Sequence, residues 1–81
     1  MNDSFEASYS FQTPSRQKEF LNGLVCRVKC NKLNNNLWNV HFRGDLAPRH
    51  EDFPDRIVND ADLFQFIGNM VHEWKRMILE L

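Results

Sequence analysis

From Leu63 to Leu81 the side chains Leu63, Ile67, Met70, Trp74, Met77 and Leu81 recur at spacings of 4-3-4-3-4. That period marks a helix with one buried face. Phe64, Phe66, Val71 and Ile78 flank the stripe, so at about 100° per residue the apolar arc spans roughly 160°. Asn59 or Asp60 is placed to cap the helix. Asp60 and Asp62 stand near its positive end, with Lys75 and Arg76 toward the other. Such a helix needs an apolar surface to lie on, and the rest of the 81-residue chain must supply it.

Strands are the natural source. Leu24, Cys26, Val28 and Cys30 alternate with Val25, Arg27, Lys29 and Asn31. Trp38, Val40 and Phe42 alternate with Asn39, His41 and Arg43. This is the period-2 pattern of half-buried strands. Both apolar faces must meet the helix, and that requirement fixes the hairpin register. Cys30 pairs with Val40 and Val28 with Phe42, which leaves Asn35 at the centre of the turn. The Asn-rich tract from Asn31 suits a turn, because Asn tolerates left-handed backbone better than other non-glycine residues. Phe5, Ala7, Tyr9 and Phe11 alternate with Glu6, Ser8, Ser10 and Gln12, predicting one more strand ahead of these two.

Between them, Thr13 and Pro14 form a helix start, Arg16 to Leu21 fits about two turns, and Gly23 can act as a left-handed cap. The competing reading is a hairpin turn at Asn22-Gly23. The helix is preferred because Ser15 to Glu19 is polar without alternation. Gly44 to Val58, with Pro48, Pro54 and many charges, reads as irregular.

The predicted order is therefore β-α-β-β-α over a single α+β domain, residues 1–81. A right-handed crossover through the short helix would set the first strand antiparallel beside the third. The result is a three-stranded antiparallel sheet with one face covered by a short helix and a long C-terminal helix. By element order alone it is like a ferredoxin-type unit without its last strand. The first strand would be an open edge, and the apolar arc is wide for three strands. Both features admit a homodimer. Equally, the arc can be filled from within, by the first helix with Leu46, Phe53, Ile57 and Val58.

The formal net charge is only -1, which argues against bulk electrostatic coating of nucleic acid. The charges are nevertheless segregated. The register places Arg27 opposite Arg43 and Lys29 opposite His41 on the outer face. Like charges directly opposed across strands are unfavourable, so stability alone does not explain the arrangement. Glu6, Asp45 or Glu51 could neutralise the patch internally, leaving a merely solvated face. Otherwise Arg27, Lys29, His41 and Arg43 form a partner-binding surface. An acidic protein surface is the expected partner and nucleic acid the alternative. Sheet-face readers of RNA present aromatics for stacking, whereas Trp38 and Phe42 point inward in this register.

Catalytic patterns are weak. His50, Glu51, Asp52 and Asp55 are metal-ligand types, but they belong to one charged loop. Cys26 and Cys30 lie on the apolar face, where a nucleophile would lack exposure. Residues four apart on a strand are roughly 13 Å apart, too far for a disulfide. Free buried thiols fit a reducing, cytoplasmic compartment. No apolar run is long enough for a membrane span, and no secretory signal is recognisable. The sequence thus predicts a non-catalytic binding protein of the inhibitor, immunity-type or adaptor kind, with no metal or other cofactor.

Overall fold

The computed structural model describes residues 3–46 and 53–80. Four strands form one antiparallel sheet in the order β1-β2-β3-β4: β1 Ser4–Ser10, β2 Val25–Lys32, β3 Leu37–Gly44 and β4 Arg56–Asn59. A 3-10 turn at Asp60–Asp62 leads into α1, Leu63–Leu79, which covers one face. The small α+β class agrees with the sequence reading. The strand and helix counts do not.

The central hairpin has the expected register. Val28 faces Phe42, Cys30 faces Val40, Arg27 faces Arg43 and Lys29 faces His41. The turn is centred on Asn35, but the backbone there is not left-handed. Among the described residues other than glycine, Leu46 alone has a positive φ, at 57°. The turn is closed by a side chain instead. Asn34 Oδ1 accepts from the amides of Asn36 (2.9 Å) and Leu37 (3.1 Å), the local bond that favours Asn in turns.

Three expectations are corrected. First, Arg16 to Leu21 is not an α-helix. Only Glu19–Leu21 turns, as a 3-10 segment, with Leu21 buried and Phe20 75% exposed. A two-turn helix that buries one side chain has too little packing to offset its nucleation cost. The segment is the loop of a hairpin. Phe11 N–H donates to the Leu24 carbonyl at 2.7 Å and Gly23 N–H to the Phe11 carbonyl at 3.0 Å. Thr13 N–H donates to Asn22 Oδ1 at 2.9 Å, tying the loop across its base. Gly23 does take positive φ, 94°, in this loop.

Second, no crossover exists between β1 and β3. β1 pairs with β2, from Ser4 opposite Asn31 to Ser10 opposite Val25. Third, β4 lies in the stretch read as irregular. It occupies the place beside β3 that the crossover would have given to the first strand, with Trp38 opposite Val58. β1 is still an edge strand, as expected. The ferredoxin-like order is replaced by a meander followed by a helix.

The core lies between the sheet and α1. Trp74, Phe11, Leu63, Ile78, Val28, Val40, Cys26 and Cys30 are almost fully buried. Of the residues expected to fill the helix arc, Phe53 and Val58 do so, whereas Leu46 and Ile57 are exposed. On the helix itself Phe64 is 76% exposed. Asn59 caps the 3-10 turn ahead of α1, its Oδ1 accepting from Ala61 N–H at 3.0 Å. The N-cap of α1 itself is Asp62, which makes no side-chain cap bond, so neither of the expected residues, Asn59 or Asp60, caps the long helix. Among the described residues, no helix is long and apolar enough to cross a membrane.

Trp74 fastens the helix to the sheet. Its indole N–H donates to the Asp45 carbonyl at 3.0 Å. Asp45 in turn is bound twice to β2: its amide donates to the Val25 carbonyl (3.0 Å), and its carboxylate accepts from the Val25 amide (2.9 Å). Gly44 is required beneath this joint, because a Cβ there would come within 2.6 Å of Trp74 Nε1.

Candidate functional site

The outer face of the sheet is built from odd-numbered residues of β2 and β3 and even-numbered residues of β1. Bonds flanking the strands show which pairs exchange hydrogen bonds. Asp45 N–H reaches the Val25 carbonyl at one end of the hairpin, and Leu33 N–H reaches the Leu37 carbonyl at the other. Two-residue alternation along the ladder makes Arg27–Arg43 and Lys29–His41 hydrogen-bonded pairs, with Cα atoms about 5.5 Å apart. The structure therefore brings Arg27, Lys29, His41 and Arg43 together on one face. With Glu6 they line a shallow depression of about 340 Å³. A second depression, of about 390 Å³, adjoins it and shares Arg27 and Arg43, with Val25, Gly44 and Asp45 completing its wall.

The two rows of this face differ in charge. In one, Glu6 stands opposite Lys29 and Lys29 opposite His41. Here His41 Nδ1 lies 2.6 Å from Asp55 Oδ1. This row begins and ends on an acid. In the next row, Ser8 faces Arg27 and Arg27 faces Arg43, with no acid in line. Among the described residues, Arg27, Lys29 and Arg43 make no ion pair within 4.0 Å. Of the acids expected to neutralise the patch, Asp45 is engaged by the Val25 amide. Glu6 faces Lys29 without closing an ion pair, and Glu51 lies outside the described residues. Asp55 is the acid that the sequence reading missed in this role. A β-branched pair, Ile57-Val58, just after it was the available sign that a strand carries it alongside His41.

No stacking platform accompanies the cations. Val40 and Phe42 are buried on the inner face, and Trp38 is half-buried there. Trp38 meets Phe5 edge-on at 5.5 Å, and Lys32 Nζ sits 5.6 Å from its ring centroid. Its indole N–H donates to Asp60 Oδ1 at 2.8 Å.

Cys26 and Cys30 are free thiols with no exposed surface. Burial pushes the Cys26 thiol up to about 11, against a smaller opposing pull from Lys75, and burial raises Cys30 as well. Both are protonated at neutral pH, the opposite of what nucleophilic sulfur requires. Among the described residues no group of three His, Cys, Asp or Glu side chains could hold a metal ion. Three of the four loop residues considered as ligands, His50, Glu51 and Asp52, lie outside the described residues, and Asp55 faces His41.

A further depression, of about 530 Å³, lies elsewhere, between α1 and the start of β4. Phe66, Met70 and Met77 give it an apolar floor, and Glu73, Arg76 and Glu80 line it too. Arg76 binds Glu73 at 2.8 Å and Glu80 at 2.7 Å. These are exposed helix pairs of small energetic weight.

Comparison with known proteins gives no match: no family model, no curated protein and no solved structure is significantly similar to this chain.

Proposed function

We propose that this chain is a non-catalytic interaction protein that binds an acidic protein surface through the outer face of its sheet. Arg27 and Arg43 are the centre of the contact, and Lys29 and His41 extend it. One observation carries the reading: two arginines stand directly opposite each other in a row without an acid. Leaving two like charges side by side costs a few tenths of a kcal/mol up to about 1 kcal/mol. A carboxylate-bearing partner would remove that cost and gain forked hydrogen bonds, which guanidinium geometry favours.

A protein partner fits better than nucleic acid. The strand aromatics of the hairpin face the core, so bases would find cations but no ring to stack on. Inhibitor, immunity-type and adaptor roles all use a surface of this kind, by blocking or by bridging. Two buried free thiols fit a reducing, cytoplasmic setting.

The test compares the wild-type chain with the Arg27→Glu/Arg43→Glu variant as bait in a lysate, with and without nuclease. Far-UV circular dichroism first establishes that the variant is folded. The expected result is an acidic protein retained by wild type, lost by the variant and indifferent to nuclease. Equal retention by both baits would overturn the reading. Retained nucleic acid, with proteins lost on digestion, would establish the alternative.

A further inference from the structure

The two edges of the sheet differ. β4 has four residues, begins with Arg56 and runs directly into the helix. β1 has seven residues, and its pairing with β2 runs without a bulge. No further strand lies along its outer edge among the described residues. The flanking bonds fix which way its backbone points. Lys32 N–H donates to the Asp3 carbonyl at 2.7 Å and Phe11 N–H to the Leu24 carbonyl at 2.7 Å. Alternation between these ends makes Phe5, Ala7 and Tyr9 the residues that exchange bonds with β2. The amides and carbonyls of Glu6, Ser8 and Ser10 therefore point away from the sheet. Proteins that stay monomeric blunt such an edge with proline, lysine or a bulge. β1 has none of these.

We propose that this edge is a self-association site: two copies pair β1 against β1 antiparallel, with Ala7 opposite Ala7 of the second copy, forming a continuous eight-stranded sheet. The sequence of β1 selects both the partner and the register. In this register Phe5 to Tyr9 of the two copies overlap throughout. Phe5 faces Tyr9 of the second copy twice over on the inner face, and Glu6 faces Ser8 on the outer face. A shift of two residues one way sets Glu6 against Glu6, a like-charge pair. A shift the other way centres the pairing on Ser8 and takes Phe5 off Tyr9. The chosen register also covers exposed aromatic surface. Tyr9 is 37% exposed, and Phe64, 76% exposed, stacks on Phe5 with ring centroids 6.1 Å apart. Pairing brings Tyr9 of the second copy beside that stack.

The inference is independent of the reading of the basic face but bears on it. In the joined sheet both basic patches lie on the same outer surface. The two β2 strands are separated by three strand spacings, about 14 Å. The dimer is thus a bivalent version of the same binding face.

Sedimentation equilibrium of the wild-type chain over a wide concentration range is expected to show a monomer–dimer equilibrium. Ser8→Pro removes an edge-facing donor without removing a β1–β2 bond, as edge strands tolerate. It should remain folded and dissociate more than about tenfold more readily. If Ser8→Pro does not fold, a cysteine scan decides. Opposed residues that do not exchange hydrogen bonds have Cα atoms about 4.5 Å apart, within disulfide reach. Ala7→Cys should therefore cross-link two chains with oxidised glutathione, far more than Glu6→Cys or Ser8→Cys. The native thiols are buried and do not compete. A mass that stays monomeric at every concentration would overturn the proposal. So would a folded Ser8→Pro that dimerises as well as wild type, or cross-linking strongest at position 6 or 8.

Discussion

Along β2 alternate residues live in different worlds. Cys26, Val28 and Cys30 have no exposed surface, while Arg27 and Lys29 between them are exposed. The inner face is filled to the point where one added methyl group collides. The outer face carries opposed charges that no packing requires. A strand that must satisfy both neighbours at once has its register fixed by the inner face alone. The outer residues are then free to be chosen for something other than stability. Substitutions should divide along the same line.

The largest effect belongs to the inner face. Trp74→Ala removes the most deeply buried large side chain and leaves the Asp45 carbonyl without its donor. A loss of about 3–5 kcal/mol in urea denaturation is expected. A loss under about 1 kcal/mol would mean that the helix is held elsewhere. Second, the buried thiols make stability depend on alkaline pH. The folded Cys26 thiol titrates near 11, above its ordinary value of 9.0. Its contribution is therefore complete below pH 9 and is lost as the pH rises through 11, because the unfolded chain releases the proton first. A tenfold difference in proton affinity is about 1.4 kcal/mol, so roughly 2–3 kcal/mol is withdrawn. Cys26→Ala, measured across the same range, should flatten the slope.

Third, two glycines should respond with opposite signs. Gly44→Ala drives a methyl group against Trp74 and Phe42, both closer than 3.0 Å. A cost of about 1–3 kcal/mol follows. Gly68, in mid-helix, has nothing within 4 Å of the place a methyl group would take, so Gly68→Ala should raise stability by up to about 1 kcal/mol. On the sequence alone Gly68 could admit close approach of another element; among the described residues none comes near. The smallest effect belongs to the outer face. Arg43→Glu turns a like-charge pair into an opposite one and should leave the melting temperature unchanged or slightly higher. A marked loss would mean that the face is internally paired and would erase the contrast between the two sides.

The parts of the molecule that the sequence discloses are those where burial enforces a period. Val28, Cys30, Val40 and Phe42 have one register that hides them all, and the helix stripe has one face. The Arg27–Arg43 opposition follows from that register without further information. Where few side chains are buried, pattern ceases to decide. Ser15 to Glu19 is polar because it is a loop surface, and a lack of alternation does not distinguish a loop from an exposed helix. The bonds that shape it, Thr13 to Asn22 and Phe11 to Leu24, join residues nine and thirteen apart and leave no periodic trace. β4 is obscured differently. Its four residues are too few to show alternation, and its last residue, Asn59, is also the cap of the 3-10 turn that leads into the helix. Asp55, which meets His41, was legible only once β4 was known to lie beside β3.

The two tryptophans stand at opposite ends of β3, which gives the molecule a pair of built-in optical reporters. Trp74, wholly sheltered and bonded to Asp45, signals whether the helix is docked on the closed hairpin. Trp38, half-sheltered between Phe5 and Lys32, signals whether the opposite end, where β4 turns into the helix, is in place. Replacing either by phenylalanine isolates the emission of the other. Superimposable unfolding curves from the two single-tryptophan chains would mean that sheet and helix come apart as one cooperative body, while a lag between them would measure, in degrees or in molar denaturant, how far one end frays ahead of the other.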